Sequence, residues 1–298
     1  MKRYRIVGYD FDTRANILAM EIKEDWEPRV KDQHEANKAQ IRESVELDYG
    51  VADAARKLDD FLAIGWRPFS VVAYHNVFFR EARDAFVLGS YYPALTGAVS
   101  LGERILNHLV LALRDHFKTS DSYKRVYRKE SFDNWEVAIA ALEEWDVLLP
   151  QAATHFRELL TVRNRSVHFD RNLESETRER ALEAILLVTK IVQTQFTELF
   201  GPPWIIPGTK GATFIARDWE TNPFVRKVYL PNCVHVGPYH LLDQNEVGWF
   251  VSADKSPESG ERTDEEFTAI FNERDQTMRE LGLLGSAPRA AIDVEVQT

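Results

Sequence analysis

The stretch from Ser90 to Phe117, SYYPALTGAVSLGERILNHLVLALRDHF, constrains the fold more than any other. Its apolar residues recur at helical spacing, Ser90 is a residue type that caps helices, and Pro93 falls in the first turn, where a missing N–H costs little. A helix this long and this apolar must be covered on most of its sides, so it belongs at the centre of a core built by other helices. Those helices are legible. VADAARKLDDFLAIG is stopped by Gly65 and Pro68, and FSVVAYHNVFFREARDAFVLG by Gly89. NWEVAIAALEEWDVLL and QAATHFRELLTVRNRSVHF are separated by Pro150, and SETRERALEAILLVTKIVQTQFTELF runs from Ser175 to GPP. Residues 51–200 are therefore predicted to form a helical bundle.

The flanks read differently. In residues 1–50, RYRIVGY alternates well enough for a short strand, and DWEPRVKDQHEANKAQIRESVEL suits an exposed, charged helix packing through Trp26, Val30, Ile41, Val45 and Leu47. Beyond GPP, the segments ATFIARDW, RKVYLPNCVHVG and EVGWFVSA carry β-branched and aromatic residues between Pro, Gly and Asn. A polar loop and the amphipathic DEEFTAIFNERDQTMRELG follow. Residues 201–285 are thus predicted to be a small α+β module, with room for a sheet shared with the N-terminal strand, and 286–298 a loose tail. The expected class is mainly α, a bundle with a smaller C-terminal α+β module.

Charge and cysteine content narrow the function. A net charge of -10 opposes broad coating of nucleic acid, so any nucleic-acid site must be a local basic patch. One cysteine, Cys233, allows no intrachain disulfide and fits a reducing compartment. The opening MKRYRIVGYDFD lacks the apolar region of a secretory signal, and no apolar run is long enough for a membrane span. A cytoplasmic protein is expected. Neither a phosphate-cradling glycine loop nor a G-x-S-x-G elbow occurs, which disfavours nucleotide motors, dinucleotide enzymes and serine hydrolases.

Against this acidic background, TVRNRSVHFD collects Arg163, Asn164, Arg165 and His168. An arginine five residues before a histidine is a weak signal, and Arg29 with His34 repeats the spacing in the charged helix. The context is stronger: the motif ends an apolar helix of the bundle. Asn164 and His168 are four apart and share a helix face, while Arg163 is about 100° around but long enough to reach the same cluster. Imidazole, guanidinium and amide together suit a phosphodiester, since arginine clamps phosphate oxygens and histidine moves protons near neutral pH. The structural alternative is that Arg163 and Arg165 complement the helix dipole and His168 pairs with Asp170 or caps the last carbonyls.

RNRSVH resembles the R-N-x-x-x-H signature of the HEPN superfamily, and SYYPALTGAVSLGERILNHLVLAL is similar to the helix those all-helical domains carry before it. The resemblance covers roughly residues 65–200. It implies an HEPN-like antiparallel helical bundle and a metal-independent endoribonuclease without cofactor, working as a homodimer whose two copies share one composite cleft. Carried over, Arg163 binds the scissile phosphate, His168 is general acid or base for attack by the ribose 2′-OH, and Asn164 holds the histidine or a phosphate oxygen. Glu103 occupies the place of an auxiliary charged residue in some such enzymes, with an ordinary helix-surface pairing as its alternative. A prokaryotic toxin or phage-defence setting, with an antitoxin or regulatory partner, follows from the same resemblance. So does the competing reading, a non-catalytic dimerisation or binding module with a C-terminal recognition domain.

Lys118, Lys124, Arg125, Arg128 and Lys129, interleaved with Tyr123 and Tyr127, form the best local candidate for an RNA backbone track with aromatic stacking, together with Arg165. The same segment would serve equally well as a solubilising surface. Cys233, His235 and His240 cluster in CVHVGPYH, but a closed metal site wants four ligands and no metal is expected. His75, His108, His116 and His155 are read as structural or surface residues.

Overall fold

The computed structural model describes residues 2–8, 10–71, 75–167, 173–197, 201–252 and 261–280. The chain divides into two units, one of residues 7–202 and 221–232, the other of residues 1–6, 203–220 and 233–298.

The larger unit is helical. After α1 (Arg14–Ala19), α2 (Pro28–Tyr49) starts with its proline at the first position. Of the five apolar residues predicted to pack α2, Val45 is buried, whereas Val30 and Leu47 are exposed; the helix touches its neighbours along one narrow stripe. Next come α3 (Ala54–Ala63), α4 (His75–Val87) and α5 (Tyr91–Leu113). Ser90 precedes α5 as expected but makes no capping hydrogen bond through its side chain. A short α6 (Tyr123–Val126) leads to α7 (Trp135–Glu144), capped by Asn134, whose side chain accepts from Glu136 N at 3.1 Å. Two long helices, α8 (Pro150–Val167) and α9 (Leu173–Ile191), complete the set, and a five-residue π-helical turn extends α9.

The core sits around α5, against which α4, α7, α8 and α9 all pack. Close approach is possible at Gly102, where an added Cβ would lie 2.6 Å from Leu159 Cδ2 and 2.9 Å from the Trp135 ring. Gly102→Ala is therefore expected to destabilise the protein by a net ~1 kcal/mol, because overpacking of about 1–3 kcal/mol outweighs the helix-propensity gain of about 1 kcal/mol. Urea unfolding midpoints of the variant and wild type check this.

A second fixed point is Asp60, fully buried on α3. Its Oδ1 accepts from Arg178 Nε and Nη2 at 2.9 and 2.7 Å, and its Oδ2 from Arg56 Nη1 at 2.7 Å and Tyr91 Oη at 2.8 Å. One carboxylate thus joins α3, α5 and α9.

In the smaller unit, β1 (Arg3–Ile6) pairs antiparallel with β2 (Cys233–Val236), Arg3 opposite Val236 and Ile6 opposite Cys233. β3 (Leu241–Asn245) and β4 (Gly248–Ser252) form a hairpin, and α10 (Asp264–Glu280) supplies the helix. Its core joins Ile206, Phe214, Val236, Phe267 and Phe271. Two strand expectations change. ATFIARDW makes only isolated bridges, Phe214 to Arg5 and Ile215 to Ile205, before a 3-10 turn at Arg217–Trp219. RKVYL is a π-helical turn, Val225–Tyr229, assigned to the larger unit, where the Tyr229 hydroxyl donates to Gln195 O and Thr197 O. Burial of its aromatic and β-branched side chains, rather than a ladder, accounts for that composition.

Candidate functional site

Arg163 lies in the last turns of α8, whose apolar face, including Phe156, Leu159 and Val162, is buried. That anchoring leaves Arg163 half-buried and Asn164 and Arg165 exposed. The Arg163 guanidinium is held by two neighbours: its Nη2 lies 3.1 Å from Glu103 Oε2 on α5, and its Cζ sits 5.7 Å from the centre of the Trp135 ring. Trp135 Nε1 donates to the same Glu103 oxygen at 3.0 Å. One carboxylate therefore fixes both a cation and the aromatic face beneath it. Glu103 is thus paired across helices rather than along its own, and it meets the motif arginine.

Trp135 is the residue that motif reasoning missed. Its signal was a polar seam running along α5 and into the 3-10 turn after it: Glu103, Asn107 and Arg114, at i, i+4 and i+11, project within about 40° of one another on helical geometry. Glu103 holds the first residue of α7, and the other two hold the chain between α5 and α7. Asn107 Oδ1 accepts from Phe132 N at 2.6 Å, and Arg114 Nη1 donates to Val126 O at 3.0 Å and Lys129 O at 2.5 Å. From the other side, Glu144 accepts from Asp121 N and Ser122 N, and Trp145 Nε1 donates to Ser120 Oγ.

The basic segment is accordingly pinned by its backbone while its cations face outward. Lys118, Lys124, Arg125, Arg128 and Lys129 are all exposed. Tyr123 and Tyr127 stack with centroids 5.6 Å apart, Arg128 lies over Tyr127 at 5.0 Å, and Lys118 approaches Asp115 at 3.9 Å. Arg114, just past the end of α5, stands about 16 Å along the helix axis from Glu103 at about 1.5 Å per residue, so basic segment and Arg163 flank the same seam. Arg157, earlier on α8, adds no open charge, because Glu136 and Glu143 bind it at 2.8 and 2.7 Å. His168 lies outside the described residues, as do Asp170 and the tail 286–298.

Another face of α5 carries a different feature. His75, buried at the start of α4, meets His108 with ring centroids 5.4 Å apart, and Arg104 lies over Phe78 at 4.8 Å. Burial, then His108 and Arg104, pushes the His75 pKa down to about 4. Burial and Arg104 lower that of His108 as well. The unfolded chain then binds a proton at His75 that the folded chain refuses between pH ~6.5 and ~4. Stability from this group is complete above that window and falls as pH drops through it, by about 2 kcal/mol at pH 5. Unfolding midpoints at pH 7.5 and pH 5 should show the loss, and His75→Leu should reduce it.

The remaining histidines are accounted for locally. His155 pairs with Glu158 at 3.0 Å, His116 is exposed, and His34 packs against Trp26. In the smaller unit, exposed His235 stacks on Tyr4, whereas His240 is buried, with Nδ1 bonded to Gly237 O at 2.7 Å and Nε2 to Arg5 Nη1 at 3.0 Å. Among the described residues no group of three or more His, Cys, Asp and Glu is placed to hold a metal, and no helix is long and apolar enough to cross a membrane. No protein-family model, curated protein or solved structure matches the chain.

Proposed function

We propose that the chain is a metal-independent endoribonuclease of the HEPN type, acting as a homodimer in a prokaryotic toxin or phage-defence system. The observation that carries this reading is the held guanidinium of Arg163, oriented by Glu103 and Trp135 beside the exposed Asn164 and Arg165. A phosphodiester needs a preorganised cation at the non-bridging oxygens, where charge builds as the nucleophile adds. Arg163 has further donors to offer while Glu103 keeps one end of its fork in place.

The ribose O2′ attacks phosphorus, the P–O5′ bond breaks, and the products are a 2′,3′-cyclic phosphate and a 5′-OH. The proton leaving O2′ and the proton gained by O5′ balance, and His168 is the residue type that exchanges them near neutral pH. The nucleophile belongs to the substrate, so RNA rather than DNA is the substrate. The exposed Lys118–Lys129 segment, with its paired tyrosines, then carries flanking RNA by phosphate contacts and base stacking.

The second reading, a dimerisation or binding module, draws on the same ion pair. An arginine already matched by Glu103 can serve simply to fasten α8 to α5. A non-catalytic module leaves RNA uncut; where cleavage is seen, one substrate change tests its chemistry. After the cleaved bond in an oligoribonucleotide is mapped, replacing the single adjacent 2′-OH by hydrogen should stop cleavage there. Continued cleavage at that bond would refute attack by the 2′-OH.

A further inference from the structure

The nuclease reading leaves unused a cavity of about 360 Å³ in the larger unit, bounded by the chain ahead of α1, the end of α2, α3 and α4. Four arginines line it, and their situations differ. Arg14 is fully engaged: it bonds Asp12, Ser44 Oγ at 2.7 Å and Asp48 Oδ2 at 2.7 Å. Arg67 is anchored at one end only. Its Nη2 meets Asp10 Oδ1 at 3.0 Å, while Nε and Nη1 are buried with no acceptor among the described residues. Arg83, only 5% exposed, gives Nη1 to Ile64 O at 3.2 Å and Nη2 to Gly65 O at 2.5 Å, and no carboxylate among the described residues pairs with it. Arg80, three residues before Arg83 on α4, is exposed at the rim.

Buried guanidinium donors without acceptors are rare in folded proteins. Arg83 is buried and Arg67 partly so, and their charges repel; burial and then the charge of Arg67 draw the Arg83 pKa down to about 10 against the smaller opposing pull of Asp12 and Asp84. An anion in the cavity would relieve both problems. The rest of the wall defines what else that anion carries. Phe61 and Ile64 offer apolar surface, and Asp84 has one oxygen taken by the Tyr49 hydroxyl at 2.8 Å, with no cation paired to it among the described residues. Its second oxygen can accept from a ligand hydroxyl. The volume is near the lower end for small-molecule sites, roughly 300–1,000 Å³, which suits one sugar or one mononucleotide.

We infer that this cavity binds a small phosphorylated sugar, free or within a mononucleotide, with its phosphate on Arg67, Arg80 and Arg83 and a sugar hydroxyl on Asp84. Planar guanidinium forks match phosphate oxygens better than they match a neutral group. The inference stands independently of the nuclease reading, since it uses none of that site's residues.

Calorimetric titration of the full chain with ribose 5-phosphate, AMP, ribose and inorganic phosphate tests it. Ribose 5-phosphate or AMP should bind at submillimolar concentration and ribose should not, with the tighter of the two phosphorylated probes identifying the source. Arg80→Ala, at an exposed position that leaves folding intact, should weaken binding by about tenfold, as expected for losing one charged phosphate contact. Absence of heat with both phosphorylated probes at millimolar concentration would overturn the inference. So would affinity unchanged in Arg80→Ala and Arg67→Gln, or inorganic phosphate binding as tightly as either organic probe.

Discussion

Arg163→Ala is expected to lower RNA cleavage by at least about 100-fold while the protein stays folded, the usual cost of removing a preorganised donor from developing phosphate charge. The structural cost should be small. The Arg163 side chain is about a quarter exposed and that of Glu103 about a third, and Glu103 keeps its hydrogen bond from Trp135 Nε1 after the arginine is gone, so a stability loss of about 1 kcal/mol is expected. Arg163→Lys should recover little activity, because an ammonium cannot reach Glu103 and two phosphate oxygens in one plane. Initial rates on a labelled RNA, read beside urea midpoints, separate the two effects. A rate loss below about tenfold with an intact fold would assign Arg163 to fastening α8 on α5, and would favour the module reading.

Asp60→Ala should be the most destabilising of the substitutions considered, at about 3 kcal/mol. Removing one partner of a buried charge cluster typically costs about 3–5 kcal/mol. Here Arg56 and Arg178 are about one-third exposed and can turn partly to water, which places the effect at the low end. Tyr91 Oη loses its acceptor and three helices lose their common tie. Asp60→Asn keeps the shape and one good acceptor but removes the charge, so an intermediate loss is expected. Equilibrium urea unfolding measures both. A change below about 1 kcal/mol for Asp60→Ala would mean that apolar packing, not this carboxylate, fixes α3 against α5 and α9.

How much of this was legible depends on whether the information was local. The central helix, read from its own apolar repeat, spans Tyr91–Leu113 and has α4, α7, α8 and α9 packed on it. Pro150, read as the break between two helices, is the first residue of α8, and α2 starts at Pro28 rather than at Asp25, because the first turn of a helix tolerates proline. By contrast, α1 has only the six residues RANILA, too few to show a period, and Arg14 holds it to Ser44 and Asp48 far along the chain. ATFIA looked like a strand because Phe214 and Ile215 are apolar, yet both are simply buried, with only isolated bridges.

The candidate site divides in the same way. Arg163, Asn164 and Arg165 are consecutive, so a motif exposes them, and the basic segment is a composition signal. The partners that orient Arg163 come from α5 and α7, roughly 60 and 28 residues earlier, and only the seam of Glu103, Asn107 and Arg114 hinted at them. The arginine-lined cavity had no sequence signature at all. Its cations come from three stretches of chain, Arg14, Arg67 and the pair Arg80 and Arg83 on α4, which only the fold brings together.

The most direct test is cleavage of RNA in EDTA by wild type and His168→Ala, with fragment ends identified chemically. Wild type should cut without added metal and leave 2′,3′-cyclic phosphate and 5′-OH ends, and His168→Ala, folded normally, should lose that activity. Fragments ending in 3′-OH and 5′-phosphate, or cleavage undiminished in His168→Ala, would refute the assignment of this motif as a metal-independent ribonuclease site.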